Sequence, residues 1–312
     1  MKILILSQLD LLGDGLLKIP FLKALKEQCP NAHITYRSTK DKTVYKDLLE
    51  GLIKNYVDVV IDAKPLEKGE KLAFDVVFDT RRKNFFELFR IKFFSKTCLI
   101  SSAYGWIFSS KRPKNFKKPD LLLDKLFHLL EAYFNRPIKK DLSIEIPNVY
   151  LEKAQELLPD GQKYILLAPG AGGRYKCWPL EKFINTALAL SNHGIKIAFL
   201  LGPQETSWQE NLKQQVPGSV FPLQEAESYD PLLSLAIAQR CEALLANDAG
   251  TAHLIAPSQK PLVVLFGPTN EKKFVPNSSV VKVLTSKTYG STQTADIPEK
   301  VVINTLMGCL NS

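Results

Sequence analysis

The chain has 312 residues, which fits two domains of about 150 residues each. Hydrophobic residues make up 45% of the chain and charged residues 23%, so a disordered, collagen-like or small disulfide-stapled protein is excluded. No apolar run approaches the roughly 18 residues of a membrane span, and the apolar start soon meets Gln8 and Asp10, unlike a signal peptide. The cysteines are dispersed, which favours free thiols and a cytoplasmic location. They are Cys29, Cys98, Cys177, Cys241 and Cys309.

The net charge of +9 belongs to the first half of the chain. Residues 1–150 contain 27 Lys and Arg against 18 Asp and Glu, whereas residues 151–312 contain 14 of each kind. Such an asymmetry predicts that the first half meets an anionic partner. Nucleic acid, an anionic membrane surface and a phosphorylated glycan all fit this description.

Apolar runs that alternate with helical patterns predict parallel strands joined by crossover helices. In the first half, the predicted strands are 2–7, 33–38, 57–62, 74–79 and 97–101. The predicted helices are one that ends near 28, then 41–52, 85–94 and 119–134. Residues 135–150 contain two prolines and no clear period, and we interpret them as a linker.

The pattern then restarts. The predicted strands of the second half are 163–168, 195–201, 243–246, 262–266 and 280–284, and the predicted helices are 151–158, 179–193, 206–216, 230–239, 250–256 and 298–310. Two successive open α/β units of this size predict two Rossmann-like domains that face each other across a cleft. In such sheets ligands bind at the carboxyl ends of the strands.

The first candidate site follows the first predicted strand, at Gly13-Asp14-Gly15. The glycines allow a tight turn into a helix, which places Asp14 at a helix N-terminus beside the predicted cleft. A carboxylate there can accept a proton from a hydroxyl nucleophile. The alternative is that Asp14 only caps the helix, which is the more usual role of such an aspartate.

The second candidate site is the glycine-rich loop of residues 169–179, which also follows a predicted strand. Glycine-rich backbone can direct several N–H groups at one anion, and Lys176 adds a positive charge. The loop is not a Walker A loop, because no G-K-[ST] ends it. Nor is it a G-x-G-x-x-G fingerprint, because Tyr175 takes the last glycine position. An ordinary surface loop is an equal alternative at this point.

The third candidate site is the segment of residues 247–253, which follows another predicted strand. A short helix that begins near Gly250 would aim free N–H groups at the cleft, as at a phosphate site. Asp248 can bind a sugar hydroxyl or cap that helix, and His253 is either a site residue or a structural histidine. The histidines and cysteines have no metal-ligand spacing, so no metal site is predicted.

Two basic stretches lie in the first half. Residues 81–96 contain six basic residues and one acidic residue, and Phe85, Phe86, Phe89 and Phe93 share one face of the predicted helix. We interpret this face as packing on the sheet with the cations in water, and the alternative is a basic amphipathic helix on an anionic membrane. The second stretch is a basic loop, predicted either to be solvated or to lie near an anionic substrate. Its basic residues are Lys111, Arg112, Lys114, Lys117 and Lys118.

Several short motifs occur in a fixed order along nearly the whole chain. They are Gly-Asp at 13–14, Lys-x-Trp-Pro at 176–179, Gly-Pro-x-Glu at 202–205, Asn-Asp-x-Gly-x-x-His at 247–253, Lys-Pro at 260–261 and Phe-Gly-Pro-Thr at 266–269. Together they resemble glycosyltransferase family 9, the heptosyltransferases of lipopolysaccharide core assembly. The resemblance implies the α/β GT-B architecture, two Rossmann-like domains with parallel sheets facing across a cleft. Residues 1–150 would bind the acceptor, residues 151–295 would bind the nucleotide-sugar donor, and the helix of residues 296–312 would pack back toward the first domain.

The resemblance also implies a metal-independent, inverting transfer in which Asp14 is the general base. Lys176 would hold the phosphates of the donor, Glu205 its nucleoside, and Asp248 its sugar and diphosphate. The other implied donor-binding residues are Gly172, Gly173, Ala249, Gly250, Thr251 and His253. The basic residues 111–118 would then bind the acceptor.

The implied substrates are ADP-heptose and an anionic acceptor of the lipid A–Kdo type, at the inner leaflet of the cytoplasmic membrane. No cofactor and no nucleic-acid partner are expected. The chain departs from the family before the Gly-Asp turn, where arginine and paired serines are common, and at Ala171, Gly172 and Gly173, which replace hydroxyl residues. The alternatives are therefore another nucleotide sugar, another glycan acceptor, or a non-catalytic protein that binds sugar nucleotides.

Overall fold

A computed structural model gives the structure of residues 1–8, 10–67, 70, 72–81, 84–113, 119, 121–276, 278 and 280–310. The chain divides into two compact units, Met1–Asp141 and Leu142–Ser312, and the division falls inside the predicted linker. No helix in these described ranges is both long enough and apolar enough to cross a bilayer.

The first unit contains one five-stranded parallel sheet, in the order β3-β2-β1-β4-β5. Its elements are β1 (Lys2–Ser7), α1 (Leu12–Gln28), β2 (His33–Ser38), α2 (Glu50–Ile53), β3 (Val59–Ile61), β4 (Val76–Asp79), α3 (Phe85–Phe94), β5 (Cys98–Ser101) and α4 (Leu122–Phe134). The predicted strands and most of the predicted helices of this half are confirmed, with ends shifted by a few residues.

Strand β1 is the centre of the first sheet. Its residues 3–6 are apolar and fully buried, as in a parallel strand that is covered on both faces. β2 lies on one side of β1 and β4 on the other, so the direction in which strands are added reverses between β1 and β4. Ligands of open parallel sheets bind at such a reversal, beyond the carboxyl ends of the strands. Here those ends are Ser7 and Asp79.

Residues 41–52 differ from the predicted single helix. They form a 3-10 turn, Val44–Lys46, and the separate short helix α2. The Oγ1 atom of Thr43 accepts a hydrogen bond from the backbone N–H of Tyr45 and starts the turn. Asp47 then leaves the helical region of backbone angles, with φ −143° and ψ −110°, so the two pieces cannot join.

Helix α3 also differs from expectation, in the face that it buries. Leu88 and Ile91 join the apolar core of the first unit. The prediction that the phenylalanines pack on the sheet is wrong. A helix that packs against a sheet buries one stripe of its surface, and in α3 that stripe consists of Leu88 and Ile91. Five phenylalanines are left exposed: Phe85, Phe86, Phe89, Phe93 and Phe94.

The second unit contains another five-stranded parallel sheet, in the order β10-β9-β8-β6-β7. Its elements are α5 (Asn148–Leu157), β6 (Tyr164–Ala168), α6 (Leu180–Ser191), β7 (Lys196–Phe199), α7 (Gln209–Gln215), α8 (Pro222–Glu225), α9 (Pro231–Gln239), β8 (Ala243–Asn247), α10 (Gly250–Ile255), β9 (Leu262–Phe266), α11 (Glu271–Phe274), β10 (Val281–Thr285) and α12 (Glu299–Leu310). The single-turn helices α8 and α11 are absent from the sequence prediction, because four residues are too short for a helical period.

The second sheet reverses between β6 and β8, which pair directly, with Ala168 opposite Ala246. The glycine-rich loop follows β6 and the segment that begins with Asp248 follows β8. The last helix, α12, packs on α6 and buries three side chains in the core of this unit, so it belongs to the second unit. These side chains are Val302, Leu306 and Cys309. Packing of residues 296–312 toward the first domain stays a prediction.

Candidate active site

The side chain of Asn247, the last residue of β8, ties the glycine-rich loop to the second sheet. Asn247 is fully buried. Its Oδ1 atom accepts a hydrogen bond from the backbone N–H of Trp178 at 2.9 Å, and its Nδ2 atom donates to the carbonyl of Pro169 at 2.7 Å. The indole Nε1 of the buried Trp178 donates to the carbonyl of Ile297 at 3.0 Å. Both ends of the loop are therefore fixed, and Lys176 stands on it just before Trp178.

Lys176 and Asp248 meet at the carboxyl edge of the second sheet. The Nζ atom of Lys176 lies 3.5 Å from Oδ2 of Asp248, and the hydroxyl of Thr269 donates to the same oxygen. Asp248 is buried, whereas the side chain of Lys176 keeps 27% of its accessible surface. A partly exposed ammonium group that a buried carboxylate holds in place can bind an anion from solvent.

His253 faces the same pair of charges from α10. Burial lowers the pKa of His253 to about 4, and the positive charge of Lys176 adds to this effect while Asp248 opposes it. The imidazole is therefore neutral at neutral pH. Its Nδ1 atom is buried and has no hydrogen-bond partner among the residues that the structure describes. A neutral imidazole in this place can donate or accept a hydrogen bond without adding charge.

Glu205 lies beside the same loop. A methyl group added at Gly170 would lie 2.5 Å from the carboxyl carbon of Glu205, and one added at Gly202 would lie 2.8 Å from its Oε2 atom. Two glycines thus make room for this carboxyl group at the carboxyl ends of β6 and β7. Burial raises the pKa of Glu205, and backbone N–H groups oppose the rise.

Backbone groups complete this edge of the sheet. A methyl group added at Gly172 would have no atom within 4 Å, so the loop is open to solvent at that point. Gly173 accepts a hydrogen bond from the backbone N–H of Lys176 at 2.9 Å, which closes a 3-10 turn. Ala249 is the N-cap of α10 and has no polar side-chain atom that could cap the first amides, those of Gly250 and Thr251. The predicted donor-binding residues are thus brought to one edge of the second sheet.

In the first unit, Asp14 stands in the first turn of α1, half-buried, just beyond the carboxyl end of β1. The helix begins earlier than predicted, at Leu12, so Gly13 and Gly15 are part of it rather than of the turn before it. Gly15 is required by close packing, because a methyl group there would lie 2.5 Å from a side-chain carbon of Val44. The hydroxyl of Tyr45 donates to the carbonyl of Gly15 at 2.7 Å and fixes the turn that carries Asp14.

A buried polar cluster holds the chain between β1 and α1. The carboxylate of Asp10 accepts hydrogen bonds from Ser7 and from Tyr36, both at 2.9 Å, and from the ammonium group of Lys18. Lys18 also donates to Ser7 at 2.7 Å. Because every member of the cluster is paired, the cluster fixes Ser7 and Asp10 relative to Lys18 of α1.

Arg81 differs from the sequence interpretation, which counted it among solvated cations. It is buried next to the carboxyl end of β4, where its Nε atom lies 2.6 Å from Asp79 and its Nη1 atom lies 2.5 Å from Glu87. The pKa of Asp79 is raised by burial, against the opposing effect of Arg81. This ion pair stands at the reversal of the first sheet.

Of the predicted acceptor residues, Lys111 is not brought to Asp14. Beyond β5 the chain turns back along that strand: Ser109 lies beside Ser101, the last residue of β5, and Ser110 bonds to Leu99 near its start. Lys111 follows and therefore lies toward the amino edge of the sheet, opposite the edge that carries Asp14. Its Nζ atom donates to the carbonyl of Tyr133 at 2.8 Å.

Arg112 follows Lys111, is exposed and donates from Nη2 to the carbonyl of Ile107 at 3.3 Å. The other predicted acceptor residues, Lys114, Lys117 and Lys118, lie outside the described residues.

Sequence reasoning missed Asn247, Thr269 and Asp10 as site residues. Asn247 and Thr269 both belong to short sequence motifs, but their hydrogen bonds join segments far apart in the chain. The described ranges contain no group of three or more His, Cys, Asp or Glu side chains arranged to hold a metal ion.

Comparison with known structures shows the fold. A family 9 glycosyl transferase from Veillonella parvula has a TM-score of 0.74 at 21% identity, covering 99% of this chain and 97% of that one. The Escherichia coli ADP-heptose lps heptosyltransferase II has a TM-score of 0.69 at 17% identity over 100% and 99%. The Escherichia coli heptosyltransferase WaaC with ADP has a TM-score of 0.69 at 14% identity over 99% and 100%. The predicted α/β fold of GT-B type, with two Rossmann-like parallel sheets, is confirmed.

Comparison of sequences shows the family. Lipooligosaccharide heptosyltransferase 2 from Haemophilus influenzae is 27% identical over 137 residues, 43% of this chain and 39% of that protein. In this match the chain thus covers about two fifths of the length of the curated relative. The model of glycosyltransferase family 9 (heptosyltransferase) matches residues 98–301, which include every donor-site residue described above and make up well over half of the chain. The chain therefore belongs to glycosyltransferase family 9.

Proposed function

We propose that this protein is a metal-independent, inverting glycosyltransferase that transfers heptose from ADP-heptose to a lipopolysaccharide core acceptor. The observation that carries the proposal is the cluster of Lys176, Asp248 and His253 at the reversal of the second sheet. It combines a partly exposed cation, a buried carboxylate and a neutral imidazole at the edge where such sheets bind ligands.

The first step of the proposed reaction removes a proton from the acceptor. The carboxylate of Asp14 accepts the proton of the acceptor hydroxyl while the oxygen attacks the anomeric carbon of the sugar. Its position in the first turn of a helix beyond a buried strand supports this role, because the turn is fixed by the bond between Tyr45 and Gly15. The new carbon–oxygen bond forms on the face opposite the leaving group, so the configuration inverts.

The second requirement is stabilisation of the leaving nucleoside diphosphate. As the bond between the anomeric carbon and the phosphate oxygen breaks, negative charge grows on the diphosphate. The ammonium group of Lys176 and the backbone amides of Ala249, Gly250 and Thr251 can balance that charge without proton transfer. Asp248 holds Lys176 in place and has a second oxygen for a sugar hydroxyl.

We assign binding of the donor's nucleoside to Glu205. Its carboxyl group can accept hydrogen bonds from the two ribose hydroxyls, and Gly170 and Gly202 leave the space that it occupies. The name of a related structure, a heptosyltransferase from Escherichia coli with ADP-2-deoxy-2-fluoro heptose, supports an ADP-linked donor. The absence of hydroxyl side chains at residues 171–173 keeps a different nucleotide sugar as the alternative donor.

The acceptor belongs to the basic first half of the chain. We place an anionic glycolipid of the lipid A–Kdo type there, at the cytoplasmic face of the inner membrane. Since Lys111 lies away from the edge of Asp14, Lys111 and Arg112 would contact anionic groups distant from the reacting hydroxyl, rather than the hydroxyl itself.

A donor panel tests the proposal. Release of nucleoside diphosphate is measured for ADP-heptose and for ADP-, UDP- and GDP-linked hexoses, each with a lipopolysaccharide core acceptor. The expected result is acceptor-dependent release of ADP from ADP-heptose alone. Turnover of another donor would show that the donor is not ADP-heptose. Binding of donors without any transfer would show that the protein is not catalytic.

A further inference from the structure

Helix α3 presents its most apolar side to solvent. Successive residues of an α-helix are rotated by about 100°, so Leu88 and Ile91 lie on one side and the phenylalanines spread over an arc of about 180° on the other. The most exposed are Phe86 at 85%, Phe94 at 77% and Phe93 at 62% of their accessible surface. The rings of Phe89 and Phe93 pair at 4.7 Å between centroids. A patch of this kind on a soluble protein marks an interaction site.

The segment after β5 extends this patch. Tyr104 and Phe108 pack their rings against Phe85, at 5.7 Å and 5.1 Å between centroids. Tyr104 has the left-handed backbone angle φ 52°, in a tight turn whose next residues include the buried Trp106 and the exposed Ile107. Trp106 and Phe108 are therefore buried, whereas Tyr104 keeps 42% of its accessible surface beside Phe85 of α3.

Cations lie at one end of the patch. Residues 84–112 contain five basic residues and one acidic residue, Glu87, which is bonded to Arg81. Lys92 reaches across from α3 to the hydroxyl of Ser110 at 3.2 Å, so the C-terminal end of the helix lies next to Ser110. The basic side chains at this end are Lys92, Lys96, Lys111 and Arg112.

We propose that α3 and the segment of residues 104–112 form a docking surface for an anionic lipid bilayer, here called the aromatic-basic surface. Phenylalanine rings enter the boundary between head groups and acyl chains, and Lys and Arg beside them are attracted to anionic head groups. A second copy of the chain is disfavoured as the occupant, because a two-fold contact would bring together two faces that each carry five basic residues and one acidic residue.

The position of the surface in the first unit fits a lipid-anchored acceptor. α3 begins a few residues after β4, whose carboxyl end lies beside that of β1, and Asp14 follows β1. A bilayer on α3 would therefore lie on the flank next to the edge that carries the proposed base. This last step rests on the proposed function, whereas docking on the bilayer does not.

Vesicle binding tests the proposal. Sedimentation with vesicles of phosphatidylcholine alone, or with added phosphatidylglycerol, is compared for the wild-type protein and the triple variant Phe86→Ser, Phe93→Ser, Phe94→Ser. The wild-type protein should bind the anionic vesicles and not the neutral ones, and the triple variant should bind them about 10-fold or more weakly. Binding should also weaken with salt, and less so after Lys96→Gln with Lys111→Gln.

A matched control removes the same number of exposed apolar side chains from the second unit, as Val149→Ser, Leu188→Ser and Phe274→Ser. This variant should bind vesicles like the wild-type protein. A second readout uses Phe86→Trp, whose added fluorescence should shift to the blue with anionic vesicles and be quenched by brominated lipids. This readout needs only one conservative change, so it does not depend on the folding of the triple variant.

The outcomes separate the partners. No binding of the wild-type protein to anionic vesicles, or equal binding of the triple variant, would overturn the proposal. If the wild-type protein is a dimer and the triple variant is a monomer, the occupant of the surface is a second copy of the chain instead. Transfer to a water-soluble core fragment should be the same in the wild-type protein and the triple variant, so loss of docking is distinguishable from failure of the proposed reaction.

Discussion

The side chain of Asn247 accepts a hydrogen bond of 2.9 Å from the backbone N–H of Trp178, and this bond joins the two loops that carry Asp248 and Lys176. A second bond from the same side chain, to Pro169, fixes the other end of the lysine loop. Both partners are buried backbone groups. The distance between the cation and the carboxylate of the site thus depends on one uncharged side chain that touches neither of them.

We expect Asn247→Ala to lower both stability and donor affinity. Removing the side chain leaves two buried backbone groups without partners, which costs about 1–3 kcal/mol for each group. Urea unfolding measures the free energy of unfolding, and calorimetry measures nucleoside diphosphate binding. The control is Asn192→Ala at an exposed position of the same unit. An Asn247→Ala protein that keeps wild-type affinity would show that the loop is held by other contacts.

Asp14→Asn should slow transfer while leaving donor binding nearly unchanged. The change keeps the shape of the side chain but removes the proton acceptor, and a positioned base contributes roughly 10²–10⁴-fold to the rate. The measurement is kcat with a saturating donor, together with the Kd of the donor. Asp47→Asn, at an exposed site of the same unit, is the control. A rate within a few-fold of the wild-type value would remove Asp14 from the mechanism.

Much of the fold follows from local patterns in the sequence. The buried runs of β1, β2 and β9 were predicted to the residue, because a parallel strand covered on both faces is a continuous apolar run between polar ends. Helix α3 was also predicted with its correct ends, but its buried face was not. The side of α3 that carries five phenylalanines is more hydrophobic than the side that carries Leu88 and Ile91. Which side is buried depends on how α3 packs on the sheet, which the local sequence does not contain.

The site was predictable as far as its residues lie in short motifs. Asp14, Lys176 and Asp248 stand just beyond strand ends, which the strand pattern locates. The bond between Thr269 and Asp248 spans 21 residues and that between Trp178 and Asn247 spans 69, so local patterns do not contain them. The path of residues 109–112 back along β5, which moves Lys111 away from Asp14, also depends on tertiary structure.

Lys176→Ala should weaken binding of both the donor and the nucleoside diphosphate. A hydrogen bond to a charged group contributes about 1.5–3 kcal/mol, which corresponds to roughly 10- to 150-fold in Kd. Lys213→Ala, at an exposed position of α7, is the control. Activity of the wild-type protein should survive a chelator such as EDTA. Loss of turnover with the chelator, restored by Mg²⁺ or Mn²⁺, would contradict the metal-independent reaction.

Gly170→Ala should displace Glu205 and weaken nucleoside binding. The added methyl group would lie 2.5 Å from the carboxyl carbon of Glu205, so the side chain has to move. The expected result is a higher Kd for nucleoside diphosphate, with a smaller change in the Kd of inorganic diphosphate, since the phosphates are bound elsewhere. Gly308→Ala is the control, because a methyl group at that position meets no atom within 4 Å. Equal losses for both ligands would argue against a nucleoside role for Glu205.

The stability of the protein should fall in mild acid partly through His253. Burial lowers the pKa of His253 from 6.5 to about 4, so between these two values the unfolded chain binds a proton that the folded chain does not. Folding stability therefore rises with pH across this window, and protonation of the unfolded state should cost about 2 kcal/mol at pH 5 relative to pH 7. Urea unfolding at both pH values, for the wild-type protein and for His253→Asn, measures the difference. The variant should lose less stability on acidification, whereas His193→Asn, at an exposed position, should behave like the wild-type protein. Equal pH dependence in His253→Asn and the wild-type protein would mean that the imidazole becomes protonated in the folded state without penalty, and its assignment as a neutral hydrogen-bonding group beside Lys176 would fail.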